Sequence, residues 1–219
     1  MKQYMYAIFD LDGTLLDTAE DLADSVNHAL TLSNLNQRTL EEIKRFVGNG
    51  IANLISLSVG NDVSEDTYQK VLSDFKQHYA SNIANKTKPF DGIIELLTAL
   101  KEHSVSVAVS SNKYQAGVEE LCELYFKDLY TAAFGERPNV PRKPDPSIVY
   151  TAIRQLGASS DLTLYIGDSE VDGQTAKNAG IDFVGVSWGL RPIELLIESG
   201  AMAIVDRPEH LLAFFEPSL

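Results

Sequence analysis

The sequence predicts an α/β fold: a parallel sheet with helices on both faces, and a small all-helical domain inserted after the first strand. Three observations lead to this prediction. After Pro89, short continuous apolar runs alternate with helical stretches, as in parallel strands joined by helical crossovers. Residues 17–88 lack such runs and place apolar residues at helical spacing instead. Polar residues follow several of the apolar runs directly, which is typical of the ligand-binding edge of a parallel sheet.

Size, composition and charge narrow the class of protein. The chain of 219 residues, 44% hydrophobic and 22% charged, is long enough for one core domain carrying a smaller insert. The net charge of −13, from 18 basic and 31 acidic residues, argues against nucleic acid or an anionic membrane as a partner. Cys122 is the only cysteine, so no intrachain disulfide can form. We expect a cytoplasmic protein, since no segment reads as a signal peptide or a membrane span.

The core elements follow from the apolar pattern. The run at 4–9 is continuous rather than alternating, which suits a strand covered on both faces. After Pro89 the pattern predicts strands at 105–109, 130–134, 162–166 and 183–186, and helices around 93–100, 118–122, 148–156 and 176–179. Gly157 and Gly180 end the last two helices.

The insert is predicted at 17–85, so that 1–16 and 86–219 form the core domain. Thr39 and Glu42 fit a capping box that starts a helix running to Val47. Tyr68 to Tyr79 shows apolar residues three and four apart, as in an amphipathic helix. The segments 15–18 and 85–88 are the expected hinges.

Asp10, Asp12 and Gly13 follow the first strand directly. Two carboxylates that are two residues apart can share one site with different duties, one as nucleophile or metal ligand and the other as proton donor. Gly13 permits a tight turn around a small ligand. The alternatives are a solvated acidic turn, or a calcium loop of the EF-hand type, whose glycine would stand at the sixth position rather than the fourth.

Further polar residues follow later strands. Ser111 and Asn112 come after the strand at 105–109, and Asp168 and Asp172 after the strand at 162–166. Lys143 lies in a proline-rich loop. Taken singly, these residues have ordinary explanations: a helix cap at Ser111, a solvated cation at Lys143, and an N-cap at Asp168. In a parallel sheet they would converge with Asp10 into a set of carboxylates, a hydroxyl and a lysine, which suits magnesium and phosphate.

The order and spacing of these motifs resemble those of the haloacid dehalogenase superfamily. The run DLDGTLLDTAEDLADSVN at 10–27 is similar to its phosphoglycolate phosphatase branch. The resemblance implies that Asp10 is the nucleophile that forms an aspartyl-phosphate and that Asp12 is the general acid and base. It also implies that Lys143 stabilises charge, and that the insert is a mobile cap.

The motifs, together with the two glycines at 48 and 50, which let the backbone approach a ligand, predict substrate and metal contacts. Substrate or phosphate contacts are expected from Gly13, Gly48, Asn49, Gly50, Ser111, Asn112 and Lys143. Magnesium ligands are expected from Asp10, Asp12 through its backbone carbonyl, Asp168 and Asp172; whether Asp172 touches the metal stays open. For the cap residues Gly48, Asn49 and Gly50, a plain turn between two helices is an equal alternative.

The implied function is a magnesium-dependent phosphatase acting on a small phosphorylated metabolite, with phosphoglycolate first, as a monomer or homodimer. A 5′-nucleotidase or pyrophosphatase of the same fold is the alternative, and a non-catalytic regulatory protein is the alternative of another class. A dehalogenase would not need Asp12. A hexose-phosphate mutase would carry histidine at Leu22, and a phosphonate hydrolase would carry lysine near Gly50.

Overall fold

A parallel sheet forms the centre of the molecule. The computed structural model describes residues 2–215, and its strands are β1 (Tyr6–Phe9), β2 (Leu16–Asp17), β3 (Lys88–Pro89), β4 (Ser106–Tyr114), β5 (Ala132–Glu136), β6 (Thr163–Gly167), β7 (Asp182–Val186) and β8 (Ala203–Val205). Within these residues, six strands form one sheet in the order β5-β4-β1-β6-β7-β8, and every neighbouring pair is parallel. The predicted fold class is confirmed.

The helices divide between the insert and the core. The insert contains α1 (Ala19–Leu32), α2 (Leu40–Phe46), α3 (Gly50–Val59) and α4 (Glu65–Ala80). The core contains α5 (Ile93–Glu102), α6 (Gln115–Phe126), α7 (Ser147–Leu156), α8 (Glu170–Ala179) and α9 (Ile193–Glu198), with short 3₁₀ segments at Ser160–Leu162 and Pro208–Phe214.

Alternating side chains of the sheet face two separate hydrophobic clusters. Ala7 and Phe9 of β1 belong to the larger cluster, whereas Ile8 between them belongs to the smaller one. In β6, Ile166 packs into the larger cluster and Tyr165 into the smaller one. Because successive strand residues point to opposite faces, a run that is covered on both sides must be apolar throughout. This explains the continuous apolar runs in the sequence.

A short antiparallel ribbon joins the core to the helical insert, which we call the cap. The strands β2 and β3 pair through Leu16 with Pro89 and Asp17 with Lys88, and α1 to α4 lie between them in the chain. The cap helix α2 begins with the predicted capping box, in which Thr39 and Glu42 bond to each other's backbone N–H.

The structure differs from the sequence prediction in several elements. Strand β4 continues through Tyr114, so Ser111 and Asn112 lie within a strand rather than at a helix cap. Helices α3 and α9 and strand β8 were not predicted. Strand β8 is only three residues long, and α9 buries only Leu196, so neither leaves a strong periodic pattern.

No helix within residues 2–215 has the length and hydropathy needed to cross a bilayer.

Candidate active site

Three buried carboxylates meet at the carboxyl edge of the sheet. Asp10 follows β1, Asp168 follows β6, and Asp172 lies in the first turn of α8. One oxygen from each carboxylate lies within 4.8 Å of the others. All three residues are at most 7% exposed. The adjacency of β1 and β6 in the sheet brings together residues that are more than 150 positions apart in the chain.

Asp10 is held by two donors on one oxygen. Its Oδ1 accepts a hydrogen bond of 2.7 Å from the backbone N–H of Leu11 and lies 2.9 Å from Nζ of Lys143. Burial and the charge of Asp172 raise the pKa of Asp10 well above its ordinary value, although Lys143 opposes this shift.

Asp168 is fixed by the loops around it. Its Oδ1 accepts from the hydroxyl of Thr14 at 3.1 Å, and its Oδ2 accepts from the backbone N–H of Leu190 at 2.7 Å. A Cβ on Gly13 or Gly189 would collide with this carboxylate, so both loops need glycine to approach it. Burial, with the nearby charge of Asp172, raises the pKa of Asp168 to about 7.

The composition of this cluster fits a hard divalent cation. Carboxylate oxygens without histidine or thiolate are the ligands that such cations prefer. Burial is the main cause of the raised pKa values of Asp10 and Asp168, and repulsion from the neighbouring carboxylates adds to it. A cation placed among them would remove that repulsion. The acidic cluster is therefore suited to hold a metal ion.

Lys143 and Asp172 form a buried ion pair beside the cluster. Nζ of Lys143 lies 2.8 Å from Oδ1 of Asp172 and donates to the backbone carbonyl of Ser110 at 3.0 Å. Burial acts to lower the pKa of Lys143, but the charges of Asp10 and Asp172 outweigh it, so the pKa is raised and the ammonium persists. Lys143 is thus not the solvated cation that its loop suggested.

Both oxygens of Asp172 already have partners. Oδ2 accepts from the backbone N–H and the hydroxyl of Ser169, which is the N-cap of α8. Oδ1 accepts from Lys143 and, at 3.3 Å, from the hydroxyl of Tyr165. The N-cap is therefore Ser169 rather than Asp168. These contacts favour Asp172 as the residue that orients Lys143.

The Asp12 side chain is not among the candidate metal ligands of this cluster in the described residues. Its Oδ1 accepts hydrogen bonds of 2.8 Å from both the hydroxyl of Thr18 and Nζ of Lys113. Ser111 is buried, and its hydroxyl accepts from the backbone N–H of Lys113 at 3.2 Å. The strand β4 thus presents Ser111 and Lys113 beside the two carboxylates of the first motif.

The turn between α2 and α3 lies against the core and is held by core side chains. The amide of Asn112 donates to the carbonyl of Gly48 at 2.9 Å, and Arg142 donates to the carbonyl of Asn49 at 3.1 Å. Arg191 donates to the carbonyl of Val47 and, at 2.8 Å, to that of Lys44 at the end of α2. The cap is therefore closed onto the core.

Asn112 connects this turn to the loop that carries Lys143. Its Oδ1 accepts from the backbone N–H of Lys143 at 2.9 Å, and its Nδ2 donates to the carbonyl of the same residue at 3.2 Å. Asn112 therefore holds both Gly48 and Lys143 in place, and its contact with phosphate stays a prediction.

A small cavity of about 40 Å³ lies between the cap and the core. The core contributes Asp10, Asp12, Ser111, Asn112 and Lys113 to its lining, and the cap contributes mostly apolar residues. The lining residues from the cap are Leu22, Val47, Gly48, Gly50, Ile51, Leu54 and Tyr79. Gly48 and Gly50 line the cavity, whereas Asn49 is not among its lining residues, and substrate contact by these cap residues stays a prediction.

Comparison with known proteins identifies the family. The model of the haloacid dehalogenase-like hydrolase family matches residues 7–186. The chain belongs to this family. The resemblance inferred from the motifs is confirmed, and the chain is a hydrolase of the haloacid dehalogenase-like type.

Individual relatives are similar to this chain over most of their length. A phosphoglycolate phosphatase of Mesorhizobium japonicum is 38% identical over 188 residues, which cover 83% of this chain and 82% of that protein. A phosphoglycolate phosphatase of Agrobacterium fabrum is 30% identical over 214 residues, which cover 96% of this chain and 92% of that protein. One solved crystal structure is of a protein from Lactobacillus delbrueckii subsp. bulgaricus that is provisionally named phosphoglycolate phosphatase. Its sequence is 35% identical to this chain, and the two structures superpose with a TM-score of 0.92 over 98% of this chain and 100% of that chain.

Several residues of this haloacid dehalogenase-like site were not found from the sequence. Lys113 follows Ser111 and Asn112 directly, but a lysine after a strand looks like a solvated charge. Tyr79 was taken as one member of an apolar helical stripe. Arg191 lies in a loop with no motif. Only the position of Lys113 next to a recognised motif offered a signal.

Proposed function

We propose that this protein is a magnesium-dependent phosphatase whose substrate is phosphoglycolate, acting through an aspartyl-phosphate on Asp10. The observation that carries the proposal is the cluster of Asp10 with Asp168 and Asp172, within 4.8 Å of one another and next to the Lys143 ammonium. The names of the relatives from Mesorhizobium japonicum and Agrobacterium fabrum support the choice of substrate.

The first chemical step is attack on phosphorus by Asp10. Its Oδ1 is fixed by Leu11 and Lys143, so Oδ2 forms the new bond to phosphorus while the bond to the ester oxygen breaks. Asp12, in the loop after the same strand, gives its proton to the departing oxygen. In the second step Asp12 takes a proton from water, the water oxygen bonds to phosphorus, and the acyl-phosphate bond breaks to restore Asp10.

The surrounding residues lower the electrostatic barrier to this attack. A carboxylate and a phosphate are both anions, and the Lys143 ammonium, held by Asp172, offsets part of their repulsion. Ser111 lines the same cavity, and its hydroxyl would contact a phosphate oxygen. Asp10, Asp168 and the backbone carbonyl of Asp12 would hold magnesium. When bound, the ion would neutralise charge on the transferring phosphoryl group.

The cavity between the cap and the core is small while the cap is closed. A buried water occupies roughly 10–15 Å³ on this measure, so about 40 Å³ holds only a few waters. Even a small phosphomonoester requires the cap to open and close again around it, which also excludes bulk water during the reaction. The monomeric or homodimeric state and the cytoplasmic location remain predictions.

Phosphate release from 2-phosphoglycolate, with and without magnesium, tests the proposal. We expect turnover only with the divalent ion, and a loss of at least about 10⁴-fold in kcat for Asp10→Asn, because the nucleophile is removed. Asp161→Asn, at an exposed position, is the matched control. A panel containing 5′-nucleotides and pyrophosphate tests the alternative substrates. Turnover by Asp10→Asn close to that of wild type would refute the aspartyl-phosphate mechanism.

A further inference from the structure

A buried hydroxyl of the cap reaches the cavity without a hydrogen-bond partner. Tyr79 of α4 is 1% exposed and lines the cavity, and its hydroxyl oxygen has no partner of proper geometry among residues 2–215. Burial raises the pKa of Tyr79, so the hydroxyl keeps its proton and can donate. Buried polar groups are almost always hydrogen-bonded. An unpartnered donor that lines a ligand cavity therefore points to a ligand atom.

A buried ammonium lies beside this hydroxyl. Nζ of Lys113 lies 5.0 Å from the centroid of the Tyr79 ring and contacts both oxygens of Asp12, at 2.8 and 3.1 Å. Burial lowers the pKa of Lys113, but the charge of Asp12 more than compensates, so the net shift is upward. The mechanism proposed above gives Lys113 no role, since Lys143 is the cation beside the nucleophile.

The position of Lys113 relative to Asp12 indicates which part of a substrate it would meet. Asp12 must approach the ester oxygen in order to protonate it, so a group bonded to Asp12 lies on the leaving-group side of phosphorus. In phosphoglycolate the carboxylate carbon is two bonds from that ester oxygen. The cap walls around it, including Leu22, Val47 and Leu54, are apolar. Lys113 bonds to Asp12 and the Tyr79 ring lies beside Lys113, so both donors lie close to Asp12.

We propose that Lys113 and Tyr79 form a subsite for the carboxylate of the substrate, and that this subsite selects phosphomonoesters with an acidic group next to the ester oxygen. The inference rests on the proposed phosphatase function and adds its specificity determinant. Because Lys113 belongs to core strand β4 and Tyr79 to cap helix α4, the subsite is complete only when the cap is closed. A carboxylate that bridges the two would stabilise the closed state in which the reaction occurs.

A local cation is also needed because the protein as a whole repels anions. The net charge is −13, and a dianionic phosphate with an added carboxylate would be disfavoured at long range. Within the cavity, the Lys113 ammonium and the Tyr79 hydroxyl would each form a strong hydrogen bond to a carboxylate oxygen.

Two substrates that differ only at this group test the proposal. Ethyl phosphate replaces the carboxylate of 2-phosphoglycolate by a methyl group. We expect wild type to prefer phosphoglycolate by about 10³-fold in kcat/KM, since a site built for a polar group rejects the analogue that lacks it. Lys113→Met should lower kcat/KM for phosphoglycolate about 100-fold more than for ethyl phosphate, and Tyr79→Phe about 5-fold to 10-fold more.

Control variants come from the same two residue types in the cap. The Tyr68 hydroxyl donates to a backbone carbonyl on the surface, and Lys70 pairs with Asp74 on an exposed face. Tyr68→Phe and Lys70→Met should leave the preference unchanged. Tyr79→Phe also has a readout independent of activity. Because the hydroxyl makes no hydrogen bond of proper geometry within residues 2–215, its loss should leave the melting temperature unchanged or raise it.

The outcomes separate this inference from the function on which it depends. If Lys113→Met lowers kcat/KM equally for both substrates, Lys113 acts only through Asp12 and the subsite is refuted. Equal hydrolysis of both substrates by wild type refutes the subsite but leaves the phosphatase function intact. If wild type hydrolyses neither substrate with magnesium, both proposals fail. A clear fall in melting temperature for Tyr79→Phe would show that the hydroxyl has a structural role and would contradict the proposal.

Discussion

Replacing Asp21 tests whether the ribbon between cap and core depends on one buried carboxylate. Asp21 lies in α1 and is 1% exposed. Its Oδ2 accepts hydrogen bonds of 2.8 Å from both the backbone N–H and the hydroxyl of Thr87, in the second hinge. The backbone N–H of Lys86 reaches both carboxylate oxygens, at 3.0 and 2.9 Å. Asp21 is 65 positions from Lys86 and 66 positions from Thr87 in the chain, so these contacts join two distant segments.

The size of the effect follows from the donors left without an acceptor. Asp21→Ala removes the acceptor from two buried donors of Thr87 and from the N–H of Lys86. At about 1–3 kcal/mol for each buried unsatisfied group, and with Lys86 partly hydrated, the expected loss in free energy of unfolding is about 3–5 kcal/mol. Asp21→Asn keeps one oxygen, so its expected loss is about 1–3 kcal/mol.

Asp24 provides a matched control on the same helix. Its carboxylate pairs with Nζ of Lys86 at 2.7 Å, but both side chains are about half exposed. Exposed ion pairs of this kind contribute about 0–1 kcal/mol, so Asp24→Asn should have little effect. The assay is urea unfolding followed by circular dichroism, together with hydrogen exchange at the amides of Lys86 and Thr87. If Asp21→Asn costs no more than Asp24→Asn, or if the amides of Lys86 and Thr87 keep their protection in Asp21→Ala, the reasoning is wrong.

Three further substitutions probe the site itself. Gly189→Ala should lower magnesium affinity about 10-fold to 100-fold by calorimetry, because the added Cβ displaces Asp168. Arg191→Ala should lower kcat/KM about tenfold, since it removes two hydrogen bonds that hold the closed cap. Asp172→Asn should lower kcat about 100-fold by misplacing Lys143, while magnesium affinity in calorimetry changes less than it does for Gly189→Ala.

Each of these three variants has a control and a contrary outcome. Gly157→Ala adds a methyl group where no atom lies within 4 Å, and should leave magnesium affinity unchanged; equal loss in both variants would contradict the role of Gly189. Arg207→Ala removes an exposed arginine, and an equal fall in kcat/KM would contradict the role of Arg191. If Asp172→Asn abolishes magnesium binding, Asp172 is a metal ligand rather than the residue that orients Lys143.

The elements predicted from the sequence are those whose signal is local. Continuous apolar runs located the strands of the core because both faces of the sheet are covered. The capping box of Thr39 and Glu42 was predicted because its two members are three residues apart. The extension of β4 through Tyr114 was not predicted, since its polar residues are stabilised by distant partners. Asn112, for example, bonds to Gly48, 64 positions away.

The sequence by itself determined the α/β class, the helical insert and the identity of the acidic residues, because periodicity and motif spacing are properties of neighbouring residues. Only the tertiary structure decided which side chains meet. Lys113 bonds to Asp12 across 101 positions, and Tyr79 joins them from the cap. Such contacts depend on strand order and on the closure of one domain over another. No local pattern encodes them, and the proposed carboxylate subsite depends on them.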